Sequence, residues 1–263
     1  MRELLFLTSI IMAWDPEIYN QFREIRQQPF YNLLSHLDVK ENINILDLGC
    51  GTGDLTLTLL DKFPGSKVTG IDNSREMLST AKERKGVSFL FRTIEDELKL
   101  PSKYDLIIAN ASLQWVDDHK KVFNQIISKL NSNGQIAVQM PMQNENALNK
   151  LLVELADQPQ WQKHLKNATH HSPLLSPDEY TEILIQSGAT HPTIIIKVYP
   201  IVTDSIDSLY DFISGSALRP YLDLLPGELI DQFVNEYKAS IGRHFKARPF
   251  IYSFKRMLIA GRL

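Results

Sequence analysis

Cysteine is nearly absent from this chain: Cys50 is the single one among 263 residues. An internal disulfide is therefore excluded, and the composition fits a reducing compartment, so we expect a cytoplasmic protein. A strong charge of either sign is also missing. The net charge is −3, which gives no electrostatic reason to expect a nucleic-acid partner. Internal repeats, low-complexity tracts and long linkers are lacking too. A chain of this length can bury one sizeable core.

An apolar run long enough to cross a bilayer is missing as well. The apolar residues at 4–12 are followed by Asp15, Pro16 and Glu17, whereas a span needs about twenty apolar residues. We therefore expect no membrane partner. A secretory signal would need a basic start and a small-residue cleavage site, and neither pattern is clear here. We expect residues 1–11 to be an N-terminal extension and residues 12–263 to form a single domain.

The most informative stretch that is present is Ile-Leu-Asp-Leu-Gly-Cys-Gly-Thr-Gly at 45–53. An apolar run ends in an acid and then breaks into three glycines at alternate positions. A second apolar run, at 68–71, ends in Asp72. Strand, glycine turn, helix, strand and acid form the βαβ plan of a nucleotide-type site. Glycines let the backbone turn sharply and approach a ligand, and the acid can accept both hydroxyls of a ribose.

The glycine spacing discriminates between two kinds of ligand. Dinucleotide sites tend to read G-x-G-x-x-G, with helix amides facing a pyrophosphate. This chain reads G-x-G-x-G, with Asp47 just before the turn and Asp54 just after it. Two carboxylates would repel a pyrophosphate, and they would suit a ligand with an ammonium and a sulfonium group. The predicted cofactor is therefore S-adenosyl-L-methionine.

Strands alternate with helices through the first 140 residues, which predicts a doubly wound, Rossmann-like α/β fold. We expect seven strands, mostly parallel, at 43–48, 67–71, 87–91, 104–109, 135–140, 193–199 and 254–260. We expect helices at 15–38, 54–62, 74–84, 118–130, 144–166, 176–188, 205–215 and 226–243. A turn is expected at 131–134, and Met77 is expected to point inward. The helical segments at about 142–188 and 204–248 are expected to form a lid over the cofactor.

Two sets of motifs carry a resemblance to known families. The acid and glycines at 47–53 resemble the motif of the class I methyltransferases. Asn-Ala-Ser-Leu-Gln-Trp at 110–115, followed by Asp118 and His119, resembles the trans-aconitate 2-methyltransferases. Leu-Arg-Pro-Tyr at 218–221 and Phe-x-Arg at 254–256 match the same family, and the resemblance covers roughly residues 12–263. The motif at 110–115 is shared in part with the carrier-protein methyltransferases of biotin synthesis, whereas the segment at 218–221 favours an aconitate-like substrate.

The resemblance implies a cofactor site on thirteen residues: Asp47, Gly49, Cys50, Gly51, Gly53, Asp72, Asn73, Met77, Ile94, Glu95, Asn110, Ala111 and Trp115. Cys50 is expected to act there as a small residue and not as a nucleophile. The family usually has an acid after the third strand, near the adenine amino group, and this chain has Thr93 or Ile94 at that position. Either Glu95 or Asp96 substitutes for that acid, or backbone groups hold the adenine.

The activity that the resemblance implies is O-methylation of a carboxylate of a small polycarboxylic acid, most of all trans-aconitate. A carboxylate is already ionised at neutral pH, so we expect no side chain to be indispensable as a proton acceptor. His119, His170 and His171 are expected to be surface or structural residues, and no metal site is expected. Arginine pairs bidentately with carboxylates, and the expected substrate-binding residues are Arg219, Arg26, Arg256, Tyr199 and Trp115.

Three alternatives remain open from the sequence. The chain could methylate a malonyl group on a carrier protein or another small acid. It could be an NAD-dependent oxidoreductase, although the glycine spacing speaks against this. It could bind S-adenosylmethionine without catalysing a reaction. We expect a monomer or a weak dimer.

Overall fold

The computed structural model describes residues 22–81, 85–165 and 173–263. The expected N-terminal extension at 1–11 lies outside these residues, and so do His170 and His171. The first part of the helix expected at 15–38 lies outside them too. Within the described part, that helix runs from Arg23 to Leu34.

Seven strands and eleven α-helices are present in the described residues. The strands are β1 Asn44–Leu48, β2 Lys67–Asp72, β3 Val87–Phe91, β4 Tyr104–Asn110, β5 Leu130–Pro141, β6 Thr190–Thr203 and β7 Phe250–Arg262. The helices are α1 Arg23–Leu34, α2 Asp54–Lys62, α3 Arg75–Ser79, α4 Ile94–Glu97, α5 His119–Ser128, α6 Ala147–Ala156, α7 Pro159–Leu165, α8 Pro177–Gln186, α9 Ile206–Ser214, α10 Arg219–Leu222 and α11 Gly227–His244. Short 3-10 turns cover Leu113–Trp115 and Gln143–Glu145.

The strands form one sheet in the order β3-β2-β1-β4-β5-β7-β6. The pairs of β1 with β2, β1 with β4, β2 with β3 and β4 with β5 are parallel, and β7 runs antiparallel to β5. The predicted seven-stranded, mostly parallel, doubly wound sheet is therefore confirmed. The strand order reverses between β1 and β4, and open sheets of this kind bind ligands outside the carboxyl ends of the strands at such a switch point.

The contacts divide the chain into two compact units. Among the described residues, the sheet unit comprises 25–81, 85–143, 173–199 and 254–263, and the helical unit comprises 22–24, 144–165 and 200–253. In the sheet unit both faces of the central strands are buried. Leu46 and Ile107 belong to one apolar cluster, and Ile45 and Leu106 belong to the other. This burial explains why the central strands read as nearly continuous apolar runs.

The helical unit has an aromatic core of its own. The rings of Trp161 and Phe233 pack edge to face with centroids 4.9 Å apart, and the Trp161 indole donates a hydrogen bond of 2.8 Å to Glu236. The Tyr237 hydroxyl donates to the carbonyl of Leu148 at 2.8 Å. These bonds, one partly buried and one buried, join α7 and α6 to α11. The role of these helices as a lid stays a prediction.

Three local predictions are wrong. One helix was expected at 144–166, but α6 ends at Ala156 and α7 begins at Pro159. Residues 131–134 were expected as a turn before the fifth strand, but β5 begins at Leu130. The four polar residues lie at an irregularity in the pairing with β4. Tyr104 pairs with Leu130 and Leu106 pairs with Gln135, so β5 advances five residues where β4 advances two. Met77 was expected to point inward, yet its side chain is 42% exposed. Helix α3 ends at Ser79 and buries none of its residues, since one short turn offers little surface to pack.

None of the described helices combines the length and the apolar character that a bilayer span requires.

Candidate functional site

The loop after β1 is a tight turn that hydrogen bonds hold against β2. The amides of Gly49 and Cys50 both donate to the carbonyl of Ile71, at 2.8 and 2.9 Å. Gly49, Gly51 and Gly53 all have positive φ angles, of 75°, 56° and 76°. This left-handed conformation is accessible to glycine without strain. The predicted glycine turn therefore lies at the carboxyl edge of β1, beside the switch point.

The three glycines serve different purposes. A Cβ atom on Gly49 would lie 2.3 Å from the Cβ of Ser112, and one on Gly53 would lie 2.4 Å from the ring of Phe89. A Cβ atom on Gly51 would meet nothing within 4 Å. Gly49 and Gly53 therefore allow the protein to pack closely on itself. Gly51 is the member of the three that borders open space, where a ligand could approach the backbone.

Asp72 is held beside Gly51 by two backbone groups. The Gly51 amide donates to Oδ2 of Asp72 at 2.8 Å, and the Ser74 amide donates to Oδ1 at 2.8 Å. A carboxylate has about four lone-pair sites, so each oxygen keeps a second position for another donor. The half-buried carboxylate is thus fixed in orientation and can still accept the two hydroxyls of a ribose.

Asp47 is the second acid of the turn and is almost fully buried, with 4% of its surface exposed. The hydroxyl of Thr56 donates to its Oδ2 at 2.6 Å. Burial raises the pKa of Asp47 to about 6; the Thr56 hydrogen bond opposes this shift and the nearby Asp72 adds to it. A buried carboxylate with a raised pKa favours a cationic partner, because such a partner stabilises the ionised form.

Cys50 is half-buried, and both acids act electrostatically on its thiol. Burial, followed by the charges of Asp47 and Asp72, raises the pKa of its thiol well above the usual value. The reactive form of cysteine is the thiolate, so this thiol stays protonated and is a poor nucleophile. This agrees with the expectation that Cys50 serves as a small residue.

The loop after β4 forms the other side of the switch point. Ala111 has a left-handed φ of 56°, a strained conformation for a residue with a side chain. Its amide donates to the carbonyl of Gln139 at 2.9 Å, and its carbonyl accepts from Nε2 of Gln114 at 2.7 Å. The Ser112 hydroxyl donates to the carbonyl of Leu48. The loops that follow β1 and β4 are therefore tied together, and Asn110 and Ala111 lie at this edge.

His119 supports the same loop from within the core. Its Nε2 lies 2.9 Å from the carbonyl of Leu113 and its Nδ1 lies 2.5 Å from the Tyr180 hydroxyl. A carbonyl can only accept, so Nε2 carries the proton and Nδ1 accepts from Tyr180. Burial lowers the pKa of His119, which is 2% exposed. His119 is thus a structural residue, and the alternative that it lies on the surface is wrong. Trp115, in the same loop, is 51% exposed.

In the described segment at 92–97, on the adenine side of the predicted site, the buried acid is engaged by other protein groups. Thr93 caps α4 by accepting from the Asp96 amide at 3.1 Å, and the Asp96 carboxylate pairs with Lys99 at 2.8 Å. The buried acid of this segment is Glu97, which accepts from Arg92 and, at 2.6 Å, from the Tyr104 hydroxyl. Of the other predicted residues, Asn73 and Glu95 are exposed and Ile94 is half-buried. That Glu95, Asp96 or backbone groups hold the adenine stays a prediction.

Four of the predicted substrate residues lie in the sheet unit: Trp115, described above, and Arg256, Tyr199 and Arg26. Arg256 on β7 is 7% exposed, and its Nη1 donates to Oε1 of Gln139 at 3.0 Å. Tyr199 is 1% exposed and its hydroxyl donates to Asn32 at 2.9 Å. Burial raises the pKa of Tyr199 to about 12, against the opposing charge of Arg256, so these two side chains are electrostatic neighbours. Arg26 is half-buried on α1.

Arg219 lies in the helical unit, at the first position of α10. Its side chain is 51% exposed, and its Nε pairs with Asp223 at 2.8 Å. An exposed pair of this kind contributes little to stability, so the guanidinium can exchange this partner for a ligand carboxylate. Its role in substrate binding stays a prediction.

The sequence reasoning did not assign a role to three polar residues that build the site: Thr56, Ser112 and Gln139. Each of them bonds to a predicted site residue or to the strand end beside one. The sequence could have indicated Gln139, because an amide side chain within an apolar strand is expected to be buried and to need hydrogen-bond partners.

Comparisons with known proteins define the class. A family model described as a methyltransferase domain matches residues 39–188. The YcgJ protein from Bacillus subtilis has a TM-score of 0.58 at 17% identity, over 90% of this chain and 98% of that chain. The geranyl diphosphate C-methyltransferase from Streptomyces coelicolor has a TM-score of 0.53 at 18% identity, over 94% of this chain and 85% of that chain. The fold and the family model together make this chain an S-adenosylmethionine-dependent methyltransferase.

Curated relatives define the family more narrowly. A trans-aconitate 2-methyltransferase from Deinococcus radiodurans is 33% identical over 254 residues, which cover 95% of this chain and 98% of that protein. The enzyme of the same name from an Acidovorax species is 34% identical, over 94% of this chain and 97% of the relative. The chain belongs to the trans-aconitate 2-methyltransferase family.

Proposed function

We propose that this enzyme transfers the methyl group of S-adenosylmethionine to a carboxylate oxygen of trans-aconitate, forming a methyl ester. The observation that carries the proposal is the match to relatives of that name along nearly the whole chain, with 95% of this chain and 98% of the Deinococcus protein aligned. The match includes both units, so it covers the residues predicted for the cofactor and those predicted for the acid.

The residues at the carboxyl edge of β1 and β2 fit this cofactor. Gly51 borders open space, and Asp72, held by two backbone amides, can accept ribose hydroxyls. Asp47 supplies a buried negative charge for the ammonium group of the methionyl part. Bound there, the cofactor supplies an electrophilic methyl group on a positively charged sulfur. An enzyme that bound a dinucleotide at this edge would place pyrophosphate charge beside two carboxylates.

The reaction needs positioning more than proton transfer. The acceptor carboxylate is already ionised at neutral pH, so its oxygen can displace the sulfur without a general base. This agrees with the state of His119, whose two ring nitrogens are both engaged in hydrogen bonds. Arginine side chains would orient the remaining carboxylates, and exclusion of water would favour the displacement. Arg219, Arg26 and Arg256 are the proposed cations, and Tyr199 and Trp115 are the other proposed substrate residues.

An assay with a tritiated methyl donor tests this proposal. The purified protein is incubated with a panel of small carboxylic acids, including trans-aconitate, and with a malonyl-carrier protein. Base-labile radioactivity marks an ester. We expect trans-aconitate to have the highest kcat/KM. Preference for the malonyl-carrier protein would replace the proposed substrate, and binding of the cofactor with no ester from any acid would make the protein a non-catalytic binder.

A further inference from the structure

A buried chain of hydrogen bonds runs across three strands behind the switch point. Nη1 of Arg256 on β7 donates to Oε1 of Gln139 on β5 at 3.0 Å. Nε2 of Gln139 donates to Oδ1 of Asn110, at the end of β4, at 2.7 Å. Gln139 is fully buried and Arg256 nearly so. Asn110 and Gln139 are partners in the parallel register of β4 and β5, so the three side chains form one short path along the sheet.

The chemistry of arginine fixes the direction of every bond in this chain. A guanidinium carries only donors, so the Gln139 oxygen must face Arg256 and the Gln139 nitrogen must face Asn110. Asn110 must then present its oxygen to Gln139. This assignment does not depend on the amide orientations in the structure. With Gln139 flipped, its amino group would face the guanidinium of Arg256, and two donors would meet with no acceptor.

The consequence appears at the outer end of the chain. With its oxygen engaged, Asn110 has the Nδ2 amino group left for the side away from Gln139. Among residues 22–81, 85–165 and 173–263, no hydrogen bond is made by this amino group. The same residue is half-buried at the carboxyl edge of β4, next to Ala111, whose amide donates to the Gln139 carbonyl at 2.9 Å. Gln139 therefore fixes the position of the Asn110 side chain and determines that its amino group, not its oxygen, faces outward.

We infer that Gln139, whose oxygen is engaged by Arg256, is a positioning residue that forces Asn110 to present N–H donors to a carboxylate oxygen of the acceptor acid. Donors repel a positively charged sulfur and attract an anionic oxygen, so the acid is the ligand that this polarity selects. The inference rests on the proposed function for the identity of the acid. It assigns substrate recognition to Asn110, a residue that the family resemblance assigns to the cofactor.

The most direct perturbation is Gln139→Glu. It keeps the size of the side chain and replaces the Nε2 donor that faces Asn110 with an acceptor oxygen. A carboxylate at 139 accepts from Arg256 as before, and it also requires a donor from Asn110. The Asn110 amide must then turn over and present its oxygen outward. We expect the KM for trans-aconitate to rise at least tenfold, with the Kd for S-adenosylmethionine changing less than threefold.

Gln135→Glu is the matched control. Gln135 is a buried amide on the same strand, and it bonds to the backbone of Asp38 at the opposite end of the sheet. This variant introduces the same charge into the same strand, so it reports general destabilisation. We expect it to lower the thermal midpoint while the KM stays within threefold of wild type.

A double-mutant cycle separates recognition from structure. Asn110→Ala should raise the KM about tenfold in the wild-type background and less than threefold in the Gln139→Glu background, since the outward donor is already lost there. Additive effects would overturn the inference, and so would a rise in cofactor Kd without a rise in KM.

A binding measurement keeps this test independent of turnover. Calorimetry of trans-aconitate with the enzyme saturated with S-adenosylhomocysteine should show tenfold weaker binding for Gln139→Glu. Unchanged binding would overturn the inference about Asn110. If wild-type enzyme bound no acid and esterified none, the proposed function would fail instead, and the two failures are therefore distinguishable.

Discussion

Replacing Asp47 with asparagine should stabilise the ligand-free protein while weakening cofactor binding. The carboxyl group is 4% exposed, and burial raises its pKa from 3.8 to about 6. Because the pKa is raised on folding, ionisation of Asp47 opposes folding. The favourable contribution of the neutral acid is complete below pH 3.8 and is lost as the pH rises through about 6.

The magnitude follows from the size of this shift. The rise from 3.8 to about 6 corresponds to about 3 kcal/mol at roughly 1.4 kcal/mol for each pKa unit. Asparagine has no such ionisation, and its side-chain oxygen can still accept from the Thr56 hydroxyl. We therefore expect Asp47→Asn to raise the free energy of unfolding by up to about 3 kcal/mol at pH 7.5 and by almost nothing at pH 4.

Urea unfolding of the ligand-free protein at these two pH values is the assay. Asp54→Asn is the matched control, since Asp54 is an exposed acid in the first turn of α2, and we expect a change within about 0.5 kcal/mol there. In the same Asp47→Asn variant, calorimetry should show S-adenosylmethionine binding weakened by roughly tenfold or more, the scale of one charged hydrogen bond. The wild-type affinity should also fall below about pH 6, because the cation needs the ionised acid. Equal stability of wild type and variant at pH 7.5, or unchanged cofactor affinity, would refute this account of Asp47.

Five further substitutions test other parts of the site. The Gly49→Ala variant should unfold at a lower urea concentration than Gly51→Ala, because a Cβ at position 49 would clash with Ser112. Gly51→Ala should chiefly weaken cofactor binding. Equal stability of the two variants would contradict the packing argument. Asp72→Ala should cost about 2–4 kcal/mol of cofactor binding through two lost charge-assisted hydrogen bonds, as measured by calorimetry. Arg219→Ala should raise the KM for trans-aconitate and spare cofactor affinity; unaltered kinetics would remove it from the site. His119→Ala should lower the thermal midpoint, yet a fall in kcat beyond about a hundredfold, the scale of a lost general base, would contradict the absence of a base.

The pattern of apolar residues predicted the sheet well because its signals are local. The run at 104–109 is buried on both faces, and the glycine turn after 48 adopts the left-handed conformations that glycine favours. The irregularity at 131–134 could not be predicted, since pairing with β4 decides whether such residues leave the strand. The helix predicted at 74–84 ends earlier in the structure, at Ser79, for a similar reason. An apolar residue such as Met77 is buried only where a neighbouring element packs against it.

The candidate site was predicted in part. Asp47, Asp72 and the glycines follow directly from a motif along the chain, whereas Gln139 acts through partners 29 residues before it and 117 residues after it. Contacts at such separations depend on the strand order and cannot be read from one sequence. The motif also did not distinguish Gly51 from Gly49 and Gly53, because Phe89 on β3 and Ser112 in the loop after β4 are distant from the motif in sequence.

Side-by-side calorimetric titration of the wild-type protein with S-adenosylmethionine and with NAD tests the central claim most directly. That claim is that the acids at the ends of β1 and β2 form a site for a cationic sulfur nucleoside. We predict saturable binding of S-adenosylmethionine at neutral pH and no measurable binding of NAD. Binding of NAD with equal or higher affinity would contradict the claim.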